Sequence, residues 1–88
     1  MFSLFRRKSL SAKEAYEIAK RRNPGMIACS CTEYEKYWVF NMNPVVASSC
    51  SCRVYKRTGK CDSVHFSVLA KQKRLNHIEG GRGGEIEL

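Results

Sequence analysis

Eighty-eight residues make one small domain, too short for a second hydrophobic core. The hydrophobic fraction of 43% excludes wholesale disorder, and no stretch approaches the roughly 20 apolar residues of a membrane span. The net charge of +8 points to an acidic partner (nucleic acid, an anionic membrane surface or an acidic protein) unless it serves solubility alone.

The chain starts "MFSLFRRK", with its apolar residues before the basic ones and no apolar run of signal-peptide length. A cytoplasmic location with reduced thiols is the expectation. Phe2, Leu4 and Phe5 beside Arg6, Arg7 and Lys8 offer weak contact with a membrane surface, and residues 1–10 are read as an arm.

Ser11 and Glu14 have the spacing of a capping box. The run that follows, "AKEAYEIAKRR", is made of good helix formers and predicts a helix over 12–22. Ala12, Ala15, Tyr16, Ile18 and Ala19 share one side of it, and Lys20, Arg21 and Arg22 complement the dipole at its end. Asn23, Pro24 and Gly25 stop it.

Next comes a strand, "GMIACSCTEY", whose alternation sets Ile27, Cys29 and Cys31 against Ala28, Ser30 and Thr32. Past a turn at 33–35, "KYWVFNM" predicts a second strand, with Tyr37 and Val39 facing away from Trp38 and Phe40. Residues 45–49 suit either a loop or the start of the next strand. "CSCRVYKRTGKCDSVHFSVLA" predicts a hairpin turning at Gly59. Cys50, Cys52 and Val54 share a face of its first arm, and Val64, Phe66, Val68 and Ala70 a face of its second. Residues 71–88 are polar and glycine-rich and read as a mobile end.

These elements give an α+β domain over 11–70, one helix packed on an antiparallel sheet of three to four strands in two layers. The second face of the sheet is left partly open.

Cys29, Cys31, Cys50 and Cys52 recur as two Cys-Ser-Cys units. Three readings stand. As core residues they behave as small buried hydrophobes, and their register beside Ile27 and Val54 favours this. As a four-cysteine zinc site they have the wrong spacing, because sulfurs two apart on a strand lie about 7 Å apart. As disulfides they need an oxidising compartment and leave one cysteine over.

Catalytic constellations are thin. His65 and His77 have no partner in the sequence, and Cys61 beside Lys60 is weak ground for a nucleophile. No phosphate loop or dinucleotide fingerprint is present, and no cofactor is expected. Lys and Arg flank Tyr16, Tyr34, Tyr37, Trp38 and Tyr55, the material of a base-stacking, phosphate-neutralising face. Gly80–Gly84 carries a single Arg-Gly-Gly unit.

"SAKEAYEIAK", "YWVF" and "VYKRTGK", in that order over about residues 11–68, resemble the layout of small PepSY-like and immunity-protein-like domains. Those combine a leading helix, a central aromatic strand and a late hairpin. Tyr55 stands where the family pattern has aspartate, and Cys61 where it has its last valine. The resemblance implies the same α+β fold and a non-catalytic binding or inhibitory role, and transfers no functional residue.

The expected function is therefore non-enzymatic binding of an acidic protein partner through a basic hairpin and the open sheet face. The candidate residues are Arg53, Tyr55, Lys56, Arg57 and Lys60, with Trp38; no acid falls between positions 50 and 60. The alternatives are a nucleic-acid-binding module on the sheet face and a zinc domain built on Cys29, Cys31, Cys50 and Cys52.

Overall fold

The computed structural model describes residues 9–43, 50–81 and 84–88, with the backbone alone for Cys50. The expectations for the arm before Ser9, for residues 45–49 and for Arg82 lie outside the described residues. Along the chain run α1 (Ala12–Arg22), β1 (Ile27–Glu33), β2 (Tyr37–Asn43), β3 (Cys50–Tyr55), β4 (Cys61–His65), α2 (Phe66–Leu69) and β5 (Asn76–Glu79). The strands form one antiparallel sheet in the order β4-β3-β2-β1-β5.

α1 begins at the capping box. The Glu14 N–H donates to Ser11 Oγ at 3.2 Å, and the Ser11 N–H donates to Glu14 Oε1 at 2.9 Å. Its small face lies close on the sheet. Ala15 and Ala19 are fully buried, beside Ala28, Cys31, Phe40, Met42, Cys52 and Val54. Burying a side chain the size of Phe40 or Val54 contributes about 1.5–3 kcal/mol, so these two anchor the helix layer.

β1 departs from strict alternation. Ala28 pairs with Met42 but Ser30 pairs with Asn41, so Cys29 is an extra residue in a bulge. The bulge turns Ala28 and Cys31 to the same, helix-facing side, where alternation alone set them on opposite sides. Three of its backbone groups are bonded outside the β1–β2 ladder. The Ala28 N–H donates to Tyr16 Oη at 2.8 Å, while the carbonyls of Ala28 and Cys29 accept from the N–H groups of Ile86 and Gly80.

Those last two bonds come from the segment expected to trail away. Instead, 76–79 form the fifth strand and Ile86 is buried at 4% exposure in the helix-side core. Gly80 has to be glycine there, because a Cβ on it would run into the Gly84 carbonyl oxygen. The sheet thus has one strand more than the sequence pattern reveals, because β5 is short and half polar.

The second hairpin arm also differs. β4 ends at His65, and residues 66–69 make a single helical turn. His65 Nδ1 accepts from the Ser67 N–H at 3.1 Å and so caps that turn. Phe66 and Val68, read as inward strand residues, are exposed, and Leu69 packs inward instead.

β4 and β5 are opposite edges of the sheet, so the chain between them must cross it. It crosses on the side away from α1. There Leu69 and Tyr55 pack on a second core of Tyr34, Tyr37, Val39 and Val64. The domain is α+β, a helix on an antiparallel sheet, with a partial third layer over the other face.

Candidate binding cleft

The crossing of the chain between β4 and β5 covers only part of the open face. What remains is a cleft of about 700 Å³. Its floor comes from two rows of side chains. Thr32 of β1 is opposite Val39 of β2 and His77 of β5, and Ser30 is opposite Asn41 and Glu79. Ser51 of β3 extends the floor. Phe66 and Leu69 line one wall, while Gln72, Arg74 and His77 contribute to the others.

His77 holds the β5 wall in place. Its Nδ1 is 2.7 Å from Thr32 Oγ1, and its Nε2 is 2.7 Å from Glu79 Oε2. With the carboxylate as acceptor, a neutral ring carries its proton on Nε2 and accepts from the Thr32 hydroxyl. A hydroxyl, an imidazole and a carboxylate in series can activate a nucleophile. Acyl transfer would also need donors aimed at an oxyanion beside Thr32. Thr32 sits in mid-ladder between β2 and β5, which commits the local backbone to strand pairing. The chain of bonds fits a wall that is braced, with Thr32 only 7% exposed.

The segment that crosses the face carries the charge; of its cations Arg74 lines the cleft, which Glu79 of β5 lines as well. From position 63 to 78 there is no acid, and Lys71, Lys73 and Arg74 follow one another in the crossing segment. All three are exposed, and among the described residues none joins an ion pair. Beside them Phe66, Val68 and Leu75 are 60%, 44% and 53% exposed.

The hairpin residues singled out from the sequence are placed differently. Arg53 lies in the second layer. Its guanidinium donates to both carboxylate oxygens of Asp62, at 2.9 and 3.0 Å, and lies 5.0 and 4.9 Å from the rings of Tyr37 and Tyr55. Bonding to Arg53, helped by the charge of Lys60, holds the Asp62 carboxyl below its ordinary range, against the opposing effect of burial. The bond to Asp62 raises Arg53 in turn.

Lys56 is buried. Its Nζ donates to Glu33 at 2.7 Å and lies 5.2 Å from the Trp38 ring centroid. Trp38 faces the helix-side core at 9% exposure, and its Nε1 donates to the Leu10 carbonyl at 3.0 Å. Arg53, Lys56 and Trp38 therefore make internal contacts, where the sequence pattern suggested exposed side chains. The expectation placed them outside because sequence spacing does not reveal the acids that reach them from other strands. Tyr55 is half-buried, and Arg57 and Lys60 remain at the exposed hairpin end. A smaller groove of about 440 Å³ opens there, with Ser9, Glu35, Lys36, Tyr55 and Arg57 in its lining.

The cysteines spread across the sheet. Cys31, Phe40 and Cys52 are successive partners on β1, β2 and β3, so Phe40 stands between the two sulfurs across two strand spacings, about 10 Å. Cys31 and Cys52 are buried core residues, at 1% and 8% exposure. The Cys50 side chain lies outside the described residues. Among those described, no group of three or more His, Cys, Asp or Glu side chains is arranged to hold a metal ion. No described helix is long and apolar enough to cross a membrane.

The cleft was not legible from the sequence. The signal that points to it is the acid-free run from 63 to 78, which holds three cations and three exposed apolar residues. Comparison with protein-family models, with curated proteins and with solved structures finds no match for this chain.

Proposed function

We propose that this domain is a non-enzymatic binding module that receives an acidic, extended segment of a protein partner in the open-face cleft. The observation that carries the reading is the union of a polar-floored cleft, lined by Arg74 and by Glu79, whose carboxylate is bonded to His77, with the neighbouring cations Lys71 and Lys73 of the acid-free crossing segment. Hydroxyl and amide groups of Ser30, Asn41 and Ser51 can hydrogen-bond a peptide backbone. Phe66 and Leu69 offer apolar contact to an anchor side chain, and the three cations draw in carboxylates. Arg57 and Lys60 at the hairpin end widen the positive field without forming the site. The resemblance to PepSY-like and immunity-protein-like domains supports a binding role.

A nucleic-acid reading uses the same cations, with Tyr55 half-buried among its expected stacking residues. Tyr34, Tyr37 and Trp38 are packed into the two cores, where no base can reach their faces.

The test is a nuclear magnetic resonance titration of the labelled protein with a glutamate-rich peptide containing one aromatic residue. Shifts are expected at Ser30, Asn41, Ser51, Phe66 and Gln72. Shifts confined to residues 57–60 would move the site to the hairpin. Competition by a single-stranded oligonucleotide with a steep salt slope would favour nucleic acid.

A further inference from the structure

We propose that Cys52 and Cys61 form an oxidisable dithiol, a modification site that closes to a disulfide on reaction with a hydroperoxide. The two sulfurs are 3.3 Å apart on neighbouring strands of one hairpin. Cys52 lies opposite Ser63 and Cys61 opposite Val54, so the pair is a diagonal across the ladder, on the helix-facing side. Bond formation needs the sulfurs to close from 3.3 Å to about 2.05 Å. Cys31 has no such neighbour along its row, where Phe40 separates it from Cys52.

The two thiols have different surroundings, which assigns their roles. Cys61 is half-buried and sits beside the turn, directly after Lys60, so an oxidant in solvent reaches it. Cys52 is 8% exposed and touches Asn23 Nδ2 at 3.7 Å, under the end of α1. Burial, reinforced by the contact with Cys61, pushes the Cys52 thiol up to about 12, so it keeps its proton at rest.

In the first step the Cys61 sulfur attacks the terminal peroxide oxygen. The O–O bond breaks, an alcohol or water departs, and Cys61 becomes a sulfenic acid. In the second step the Cys52 sulfur displaces the hydroxyl from Cys61, and the Cys52 proton leaves with it as water. Two thiols are oxidised to one disulfide and one peroxide is reduced, with no further reactant.

The experiment treats the reduced, folded protein with one equivalent of hydrogen peroxide, alkylates it under denaturing conditions and maps tryptic peptides by mass spectrometry. The expected product is lighter than the reduced protein by two hydrogens. It joins peptide 37–53 to peptide 61–71. Because the first peptide also holds Cys50, the crosslink should persist in Cys50→Ser and vanish in Cys52→Ser and Cys61→Ser. Phenylarsine oxide, which needs two adjacent thiols, should load once per chain and be lost in Cys61→Ser, a reading that does not depend on oxidation. A crosslink through Cys29, Cys31 or Cys50 would overturn the proposal. So would conversion of Cys61 to sulfinic acid without a crosslink, or arsenical loading that survives Cys61→Ser.

Discussion

The Tyr16 hydroxyl donates to Glu85 Oε2 at 2.5 Å, joining the middle of the first helix to the end of the chain. The same oxygen accepts the Ala28 N–H at the bulge of β1. One phenol thus satisfies a bulged backbone group and docks the C-terminal segment, which brings Ile86 into the core. Lys20 lies over the ring at 4.7 Å and 3.7 Å from the same carboxylate. Tyr16→Phe leaves the Ala28 N–H without its acceptor and should cost about 1–3 kcal/mol in urea unfolding. Glu85→Gln keeps an acceptor and should cost less.

Alkaline pH should destabilise the fold. Burial pushes the Cys31 and Cys52 thiols from near 9 up to about 12, and burial together with the Glu85 bond raises Tyr16 from 10 to about 12. Each native pKa lies above its unfolded value. Between about pH 9 and 12 the unfolded chain has lost protons that the native one still holds, so stability falls as pH rises. Denaturation midpoints at about pH 8 and pH 11 should differ in that direction, and Cys31→Ala should flatten the slope.

The Arg53–Asp62 pair should fail at acid pH. Asp62 titrates below its ordinary range because it is bonded to Arg53. Its contribution is present above the unfolded carboxyl value near 3.9 and is lost as pH falls through the lower native value. Arg53→Glu sets a second carboxylate against Asp62 in place of its partner, so it should destabilise the protein by about 2–4 kcal/mol at neutral pH. A double-mutant cycle with Asp62→Asn checks that the loss belongs to the pair.

The first helix, its cap and the two faces of β2 were legible because helical and strand periodicity act over a few neighbouring residues. Tyr37 and Val39 do face away from Trp38 and Phe40. Everything set by one strand meeting another was harder to read. Cys29 sits in a bulge because C-terminal backbone groups pair there, and nothing near Cys29 signals that. Arg53 and Lys56 read as a free basic face because Asp62 and Glu33 meet them only across strands. The cleft arises from the crossing between opposite sheet edges, a property of strand order that alternation cannot encode.

Ser11→Ala should lower stability by about 1 kcal/mol, the worth of a side-chain cap, because it leaves the Glu14 N–H unbonded and breaks the reciprocal box. Thermal melts of the variant and the parent protein measure this directly. Ser11→Asp, which can still accept that bond, should recover most of the loss.

The claim that the cleft and its basic rim take an acidic segment is tested most directly by isothermal titration with a glutamate-rich, single-aromatic peptide. Three proteins are compared: wild type, Lys71→Glu/Lys73→Glu/Arg74→Glu, and Arg57→Glu/Lys60→Glu. Three exposed ion pairs at about 0.2–1 kcal/mol each set the scale of the loss, and reversing the charges adds to it. The rim triple variant should therefore bind at least about tenfold more weakly than wild type, and the hairpin double variant within about threefold of it. Wild-type affinity in the rim variant, or a loss confined to the hairpin variant, would contradict the account.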